Sequence, residues 1–214
     1  MSGRPGSIAG IVLAAGGSRR MGRPKQILPL AGRPLLQHVL DAAAASQLAE
    51  IVVVLGHEAA SVAAALELPA RARIVVNPAW AAGQAASLAC GLGAVAPGEA
   101  IAAAVLLGDQ PGVSGALIDG MLAAFRTTDA AAVRPVWRSP DGRTQPGHPV
   151  VLGREVFAEA AALAGDEGAR ALFARRPERV REIAIAGAPL ADVDDGDDYR
   201  RVMDAVQAAS TGGF

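Results

Sequence analysis

Residues 8–25 read Ile8-Ala9-Gly10-Ile11-Val12-Leu13-Ala14-Ala15-Gly16-Gly17-Ser18-Arg19-Arg20-Met21-Gly22-Arg23-Pro24-Lys25. The stretch 8–14 is an unbroken apolar run, the pattern of a central parallel strand covered on both faces. Gly16 and Gly17 then let backbone N–H groups approach a ligand, and a concavity of such groups binds anions. Arg20, Arg23 and Lys25 add positive charge to the loop. In an open α/β sheet, a loop of this kind lies at the carboxyl ends of the strands, where ligands bind. Lys25 is the only lysine, since 19 of the 20 Lys+Arg residues are arginine. Arginine is a planar fork, whereas lysine is a compact charge on a flexible stem that meets a phosphate end-on. Two familiar phosphate loops are excluded. Gly17 and Gly22 have the Walker spacing, but Arg23-Pro24 follows, and no G-x-G-x-x-G occurs.

Outward from this loop, apolar runs predict further strands at 50–56, 73–76, 100–107, 130–137, 149–152 and 179–186. Helices are expected at 34–48, 58–66, 84–95, 114–125, 155–163 and 197–208, with another after a turn at 165–168. Pro34 suits a first helical position and Ser114 an N-cap. The Pro-, Gly- and polar-rich stretch 138–149 reads as an irregular lid or hairpin, and 210–214 as a loose tail. Strands alternating with helices imply α/β class: a single three-layer α/β/α domain with a mostly parallel, Rossmann-like sheet. Residues 8–112 and 113–209 read as the two halves of this one domain. Hydrophobic content is 51% but aromatics only 3%, so alanine carries much of the apolar surface and favours close helix–sheet packing.

A net charge of −1 leaves no basic excess for a nucleic-acid footprint. Cys90 is the sole cysteine, which excludes an intramolecular disulfide and a thiolate metal cluster and fits a cytoplasmic protein. No apolar run reaches the length of a membrane span, and the polar start does not read as a signal peptide. Cys90 is expected to be a small core residue, and His38 and His57 to be structural.

Two other segments carry chemistry. Leu106-Leu107-Gly108-Asp109-Gln110-Pro111 delivers a carboxylate at a strand tip. Such an Asp serves as a turn former or, with water and substrate phosphates, as a Mg²⁺ ligand. Asp192-Val193-Asp194-Asp195-Gly196-Asp197-Asp198 holds five carboxylates in seven residues. Asp197 and Asp198 suit a helix N-terminus. Asp192 and Asp194 flank Val193 and share one side of an extended backbone, so one of them could give a metal its second carboxylate.

The pattern Leu-Ala-Ala-Gly-x-Ser-x-Arg-Met-Gly-x-x-Lys resembles the signature of nucleotidyltransferases of the glycosyltransferase-A-like fold. Within that group, Gly108-Asp109-Gln110-Pro111, Gly147-His148-Pro149 and Gly165-Asp166-x-Gly168-Ala169-Arg170 resemble the molybdenum cofactor cytidylyltransferases. The resemblance implies CMP transfer from CTP to the terminal phosphate of molybdopterin, with Mg²⁺ as cofactor. Leu13, Ala14, Ala15, Gly16, Gly17 and Ser18 would line the nucleotide site with Asn77, Gly83, Ser87 and Gly108. Arg20 and Lys25 would neutralise the triphosphate. Asp109 would hold the metal with Asp194, although Asp195 and Gly196 replace the family's Thr-Pro and leave Asp195 as the other choice. His148, Asp166 and Arg170 would contact the acceptor. A xanthine dehydrogenase-type molybdoenzyme, or its chaperone, is the implied partner. Guanylyl transfer, another phosphorylated acceptor and a non-catalytic cofactor-delivery chaperone are the competing readings. Ala15, where guanylyltransferase relatives have glycine, favours CTP.

Overall fold

The opening apolar run becomes β1 (Ile8–Leu13), a central strand with neighbours on both sides. The structure is a computed structural model that describes residues 4–18, 20–139, 141–166 and 168–211. A two-residue ribbon, β2 (Pro29–Leu30) and β3 (Arg33–Pro34), leads into α1 (Leu35–Ala44). Then come β4 (Ile51–Leu55), α2 (Ala59–Ala64), β5 (Ala72–Val76), α3 (Gln84–Val95) and β6 (Ala102–Leu107). The second half holds α4 (Gly115–Arg126), β7 (Ala132–Arg138), β8 (Thr144–Pro146), β9 (Val150–Gly153), α5 (Phe157–Ala161) and α6 (Ala169–Arg175). It ends with β10 (Val180–Ala186) and α7 (Gly196–Thr211).

The main sheet runs β10-β7-β9-β6-β1-β4-β5, with β8 added to β7. β1 is parallel to β4 and β6, β4 to β5, and β7 to β10, while β9 lies antiparallel between β6 and β7. The chain leaves β1 toward β4 and β5, then returns to β1's other side as β6. This reversal is a topological switch point, and ligands of open α/β sheets bind beyond the carboxyl ends of the strands there.

Alternate strand residues feed two cores. Ile8, Val12, Val53 and Leu106 face Leu36 and Leu40 of α1 and Ile118 and Phe125 of α4. Ala9, Ile11, Val54 and Val105 face Leu88 and Leu92 of α3, Phe157 of α5 and Phe173 of α6. Helices therefore cover both faces of the sheet, as the strand–helix alternation requires. Small residues set the spacing: a Cβ on Gly91 of α3 would come within 2.5 Å of Ile11 Cγ2.

Several boundaries differ from the sequence expectations. The first long helix stops at Ala44, because Ser46 Oγ donates to the Ala43 carbonyl and accepts from Leu48 N–H, offering the backbone an alternative to the helix. The 138–149 stretch contains β8, which folds back on β7 as a hairpin. The β2–β3 ribbon turns through Ala31 and Gly32, both at positive φ, a geometry that Ala31 does not announce. The last helix continues to Thr211, so 210 and 211 belong to it, and the rest of the expected tail lies outside the described residues. Among the described residues no helix is long and apolar enough to cross a membrane.

Candidate functional site

At the carboxyl end of β1 the loop is held from beneath by Gln26, which is 3% exposed. Its Nε2 donates to the carbonyls of Ala14 at 2.8 Å and Gly16 at 3.0 Å. Ser18 Oγ accepts from Lys25 N–H at 2.9 Å, closing the loop on itself. Trp80 forms one wall. A Cβ on Gly17 would lie 2.9 Å from its ring, and a Cβ on Gly56 would lie 2.5 Å from its Cβ. Both glycines are required there because the indole packs directly on the backbone. Gly16 faces open space, so its backbone remains accessible.

Opposite the loop, β6 ends at Leu107, and Gly108 and Asp109 follow it. The Lys25 ammonium lies between two carboxylates, 2.7 Å from Asp109 Oδ2 and 3.0 Å from Asp194 Oδ1. Arg20 approaches Asp194 Oδ2 at 3.5 Å from the solvent side. Burial alone would lower the Lys25 pKa, but Asp109 and then Asp194 outweigh it and raise it above the ordinary lysine value. For Asp194, burial pushes upward, but Lys25 and Arg20 overcome it and hold the carboxyl below its usual range.

The neighbouring Asp195 has a different task. Its Oδ1 accepts from the N–H groups of Asp197 at 2.9 Å and Asp198 at 3.0 Å, while Asp198 Oδ2 accepts from Asp195 N–H at 3.2 Å. This reciprocal arrangement is a capping box at the start of α7. Those backbone N–H groups, Asp198's foremost, hold the Asp195 carboxyl below its usual range.

A cavity of about 360 Å³ opens above these groups. It is lined by Leu13, Ala14, Ala15, Gly16, Gly17 and Lys25 from the loop side, Trp80, Gly83 and Ser87 around the start of α3, and Gly108 and Asp109 from β6's end. A second cavity, of about 180 Å³, adjoins it and is lined by His148, Arg170 and Arg134, among others. Leu13, Gln84, Leu107 and Asp166 border both. Asp166 Oδ1 accepts from Gln84 N–H at 3.2 Å, and the Gly165 carbonyl accepts from Ala85 N–H at 3.0 Å. Gly165 and Asp166 thus dock on the N-terminus of α3. Burial, then the Arg170 charge, lowers the His148 pKa to about 4, so its imidazole is neutral at pH 7.

Asp109 Oδ1 is buried without a hydrogen-bond partner among the described residues. No group of three or more His, Cys, Asp and Glu side chains among those residues is placed to enclose a metal. A pair of carboxylates, one with a free oxygen, fits a hard cation that takes its remaining ligands from water and substrate phosphates.

A scan against protein families matches residues 10–180 to the MobA-like NTP transferase domain. The chain belongs to this family. Nicotine blue oxidoreductase of Paenarthrobacter nicotinovorans is 32% identical over 172 residues, covering 79% of this chain and 83% of that protein. The crystal structure of Rv0371c from Mycobacterium tuberculosis H37Rv is 37% identical, with a TM-score of 0.81 over 94% of this chain and 100% of that one. A second structure of that protein, in complex with manganese, is 34% identical, with a TM-score of 0.76 over 93% and 99% of the two chains.

As a MobA-like nucleotidyltransferase, the chain has ten of the thirteen residues singled out above for nucleotide or catalysis on the wall of one cavity. Ser18, Arg20 and Asn77 are outside that lining: Ser18 closes the loop, Arg20 pairs with Asp194, and Asn77 orients Ser87 through a 3.1 Å bond from Nδ2 to Oγ. His148, Asp166 and Arg170 all border the second cavity. Sequence reasoning passed over Gln26, whose role depends on carbonyls 10 and 12 residues away. It also left out Trp80 as a wall, though the Asn77-Pro78-x-Trp80 spacing contained that signal.

Proposed function

We propose that this MobA-like transferase moves CMP from CTP to the terminal phosphate of a molybdopterin, releasing pyrophosphate. The observation that carries this reading is the Lys25–Asp109–Asp194 cluster, whose Lys25 and Asp109 line a cavity that shares Leu13, Gln84, Leu107 and Asp166 with a second one. The larger suits a nucleoside triphosphate and the smaller its acceptor. An acceptor phosphate oxygen attacks the α-phosphorus of CTP in line, the bond to the bridging oxygen breaks, and that oxygen leaves on pyrophosphate. A phosphate monoester is already anionic near neutral pH, so no side-chain base is needed.

The protein's contribution is positioning and charge. The Lys25 ammonium, kept protonated by its two carboxylates, meets charge that grows on the leaving pyrophosphate, with Arg20 at the rim. A divalent cation held by Asp109 and Asp194 would neutralise the phosphate oxygens flanking the reacting phosphorus. Gln26 keeps the loop in the shape that lines the nucleotide cavity. The neutral His148 and the cationic Arg170 offer the acceptor one uncharged and one charged contact. Ala15 in the loop favours cytosine. The oxidoreductase name of one relative is not carried to this chain, whose loop lacks the dinucleotide glycine pattern.

The test is pyrophosphate release with molybdopterin and each of the four nucleoside triphosphates, with Mg²⁺ and with Mn²⁺. The reading expects CTP to be preferred. Preference for GTP would make the chain a guanylyltransferase. Tight nucleotide binding without turnover would make it a delivery factor.

A further inference from the structure

Asp109 and Asp194 lie 85 positions apart in the chain, yet their carboxylates share one ammonium. Lys25 bridges them but cannot fix their backbones, because its stem is flexible. The contacts that do so lie within two residues of each. The Asp109 carbonyl accepts from Val193 N–H at 3.0 Å. Gln110 Nε2 donates to Asp192 Oδ1 at 2.7 Å. Val193 is fully buried and Gln110 is 6% exposed, so this crossing is anchored in the core. Asp192 and Asp194 flank the buried Val193, one on Gln110 and the other on Lys25.

We infer that Gln110 and Asp192 are a positioning pair that sets the distance and orientation between the Asp109 and Asp194 carboxylates. The inference rests on the reading of those two carboxylates as ligands of one divalent cation. The main-chain bond at Val193 is a single pivot about which the 192–194 segment could rotate relative to 109–110. The side-chain bond adds a second point and removes that rotation. What Asp192 supplies is a hydrogen-bond acceptor in the right place, not a charge. Outer-shell partners that orient a metal's ligands typically change its affinity by about 10- to 100-fold when removed.

The experiment measures Mn²⁺ binding by calorimetry on the intact, nucleotide-free protein, together with its thermal midpoint without metal. Gln110→Ala and Asp192→Ala are each expected to weaken Mn²⁺ binding by about tenfold or more. The double variant should be no weaker than either single one, because both remove the same contact. Asp192→Asn keeps an oxygen for Gln110 Nε2 and should bind Mn²⁺ within about threefold of the unaltered protein, as a role confined to that contact requires. If Asp192→Asn is as weak as Asp192→Ala, the charge matters and the inference is overturned. Additive losses in the double variant, or losses that only track a lowered midpoint, would overturn it too. Asp109→Ala separates the two readings. If it leaves Mn²⁺ binding intact, the metal assignment itself fails. If it abolishes binding while Gln110→Ala does not change it, only the positioning inference fails.

Discussion

Lys25 shows how far one side chain can be read. Its rarity in a chain of arginines and its place after a glycine-rich loop point to phosphate chemistry. Its partners, Asp109 and Asp194, come from distant segments and are set by the fold. Lys25→Ala should leave the fold intact and cut turnover by roughly 10²-fold or more, as for other lost transition-state donors. Circular dichroism and pyrophosphate release check this together, and an unchanged rate would remove Lys25 from the mechanism. His148 is a second residue-scale case. Its folded pKa of about 4 lies below the ordinary histidine value of 6.5. The unfolded chain therefore takes up this proton first as the pH falls. The stability linked to His148 is present above pH 6.5 and is lost toward pH 4, by on the order of 2–3 kcal/mol. His148→Gln should flatten that part of the pH dependence in urea unfolding. A difference between the two proteins that does not vary between pH 7 and pH 4.5 would contradict it.

At the scale of elements, the acidic run before α7 is the instructive piece. Spacing assigns Asp197 and Asp198 to the helix start but does not separate Asp192, Asp194 and Asp195, whose labour the structure divides. Asp195 and Asp198 exchange capping bonds with the backbone, Asp192 holds Gln110, and Asp194 meets Lys25 and Arg20. The capping geometry turns the Asp195 carboxylate toward the helix, leaving Asp194 to face Lys25 and Arg20. Asp194→Ala should therefore abolish most turnover. Asp195→Ala should lower the thermal midpoint modestly and leave catalysis largely unaltered. The reverse outcome would exchange their roles. The long strands and helices were legible to within a few residues, because apolar period and capping residues are local signals. The β2–β3 ribbon was not, since Ala31 at positive φ carries no glycine or asparagine mark.

For the whole molecule, the cavities occur where the sheet reverses direction at β1 and β6, and residues from both chain halves line them. Nucleotide binding should consequently stabilise the protein as a unit. CTP at about 100 times its dissociation constant, with Mg²⁺, should add about 2.7 kcal/mol and raise the midpoint by about 5–10 °C. Differential scanning fluorimetry would show this. An equal shift from a nicotinamide dinucleotide would favour the activity in the relative's name over nucleotidyl transfer.

Local order was written plainly in the chain: the apolar run of β1, the glycine loop, the carboxylate after β6 and the alternation that makes an α/β sheet. These features depend on neighbours a few residues apart, so spacing alone reveals them. The division of the acidic run, the support of the loop by Gln26 and the meeting of Asp109 with Asp194 depend on contacts between distant segments. Backbone crossings and burial select those contacts, and they became definite only when the sheet placed the ends of β1 and β6 side by side.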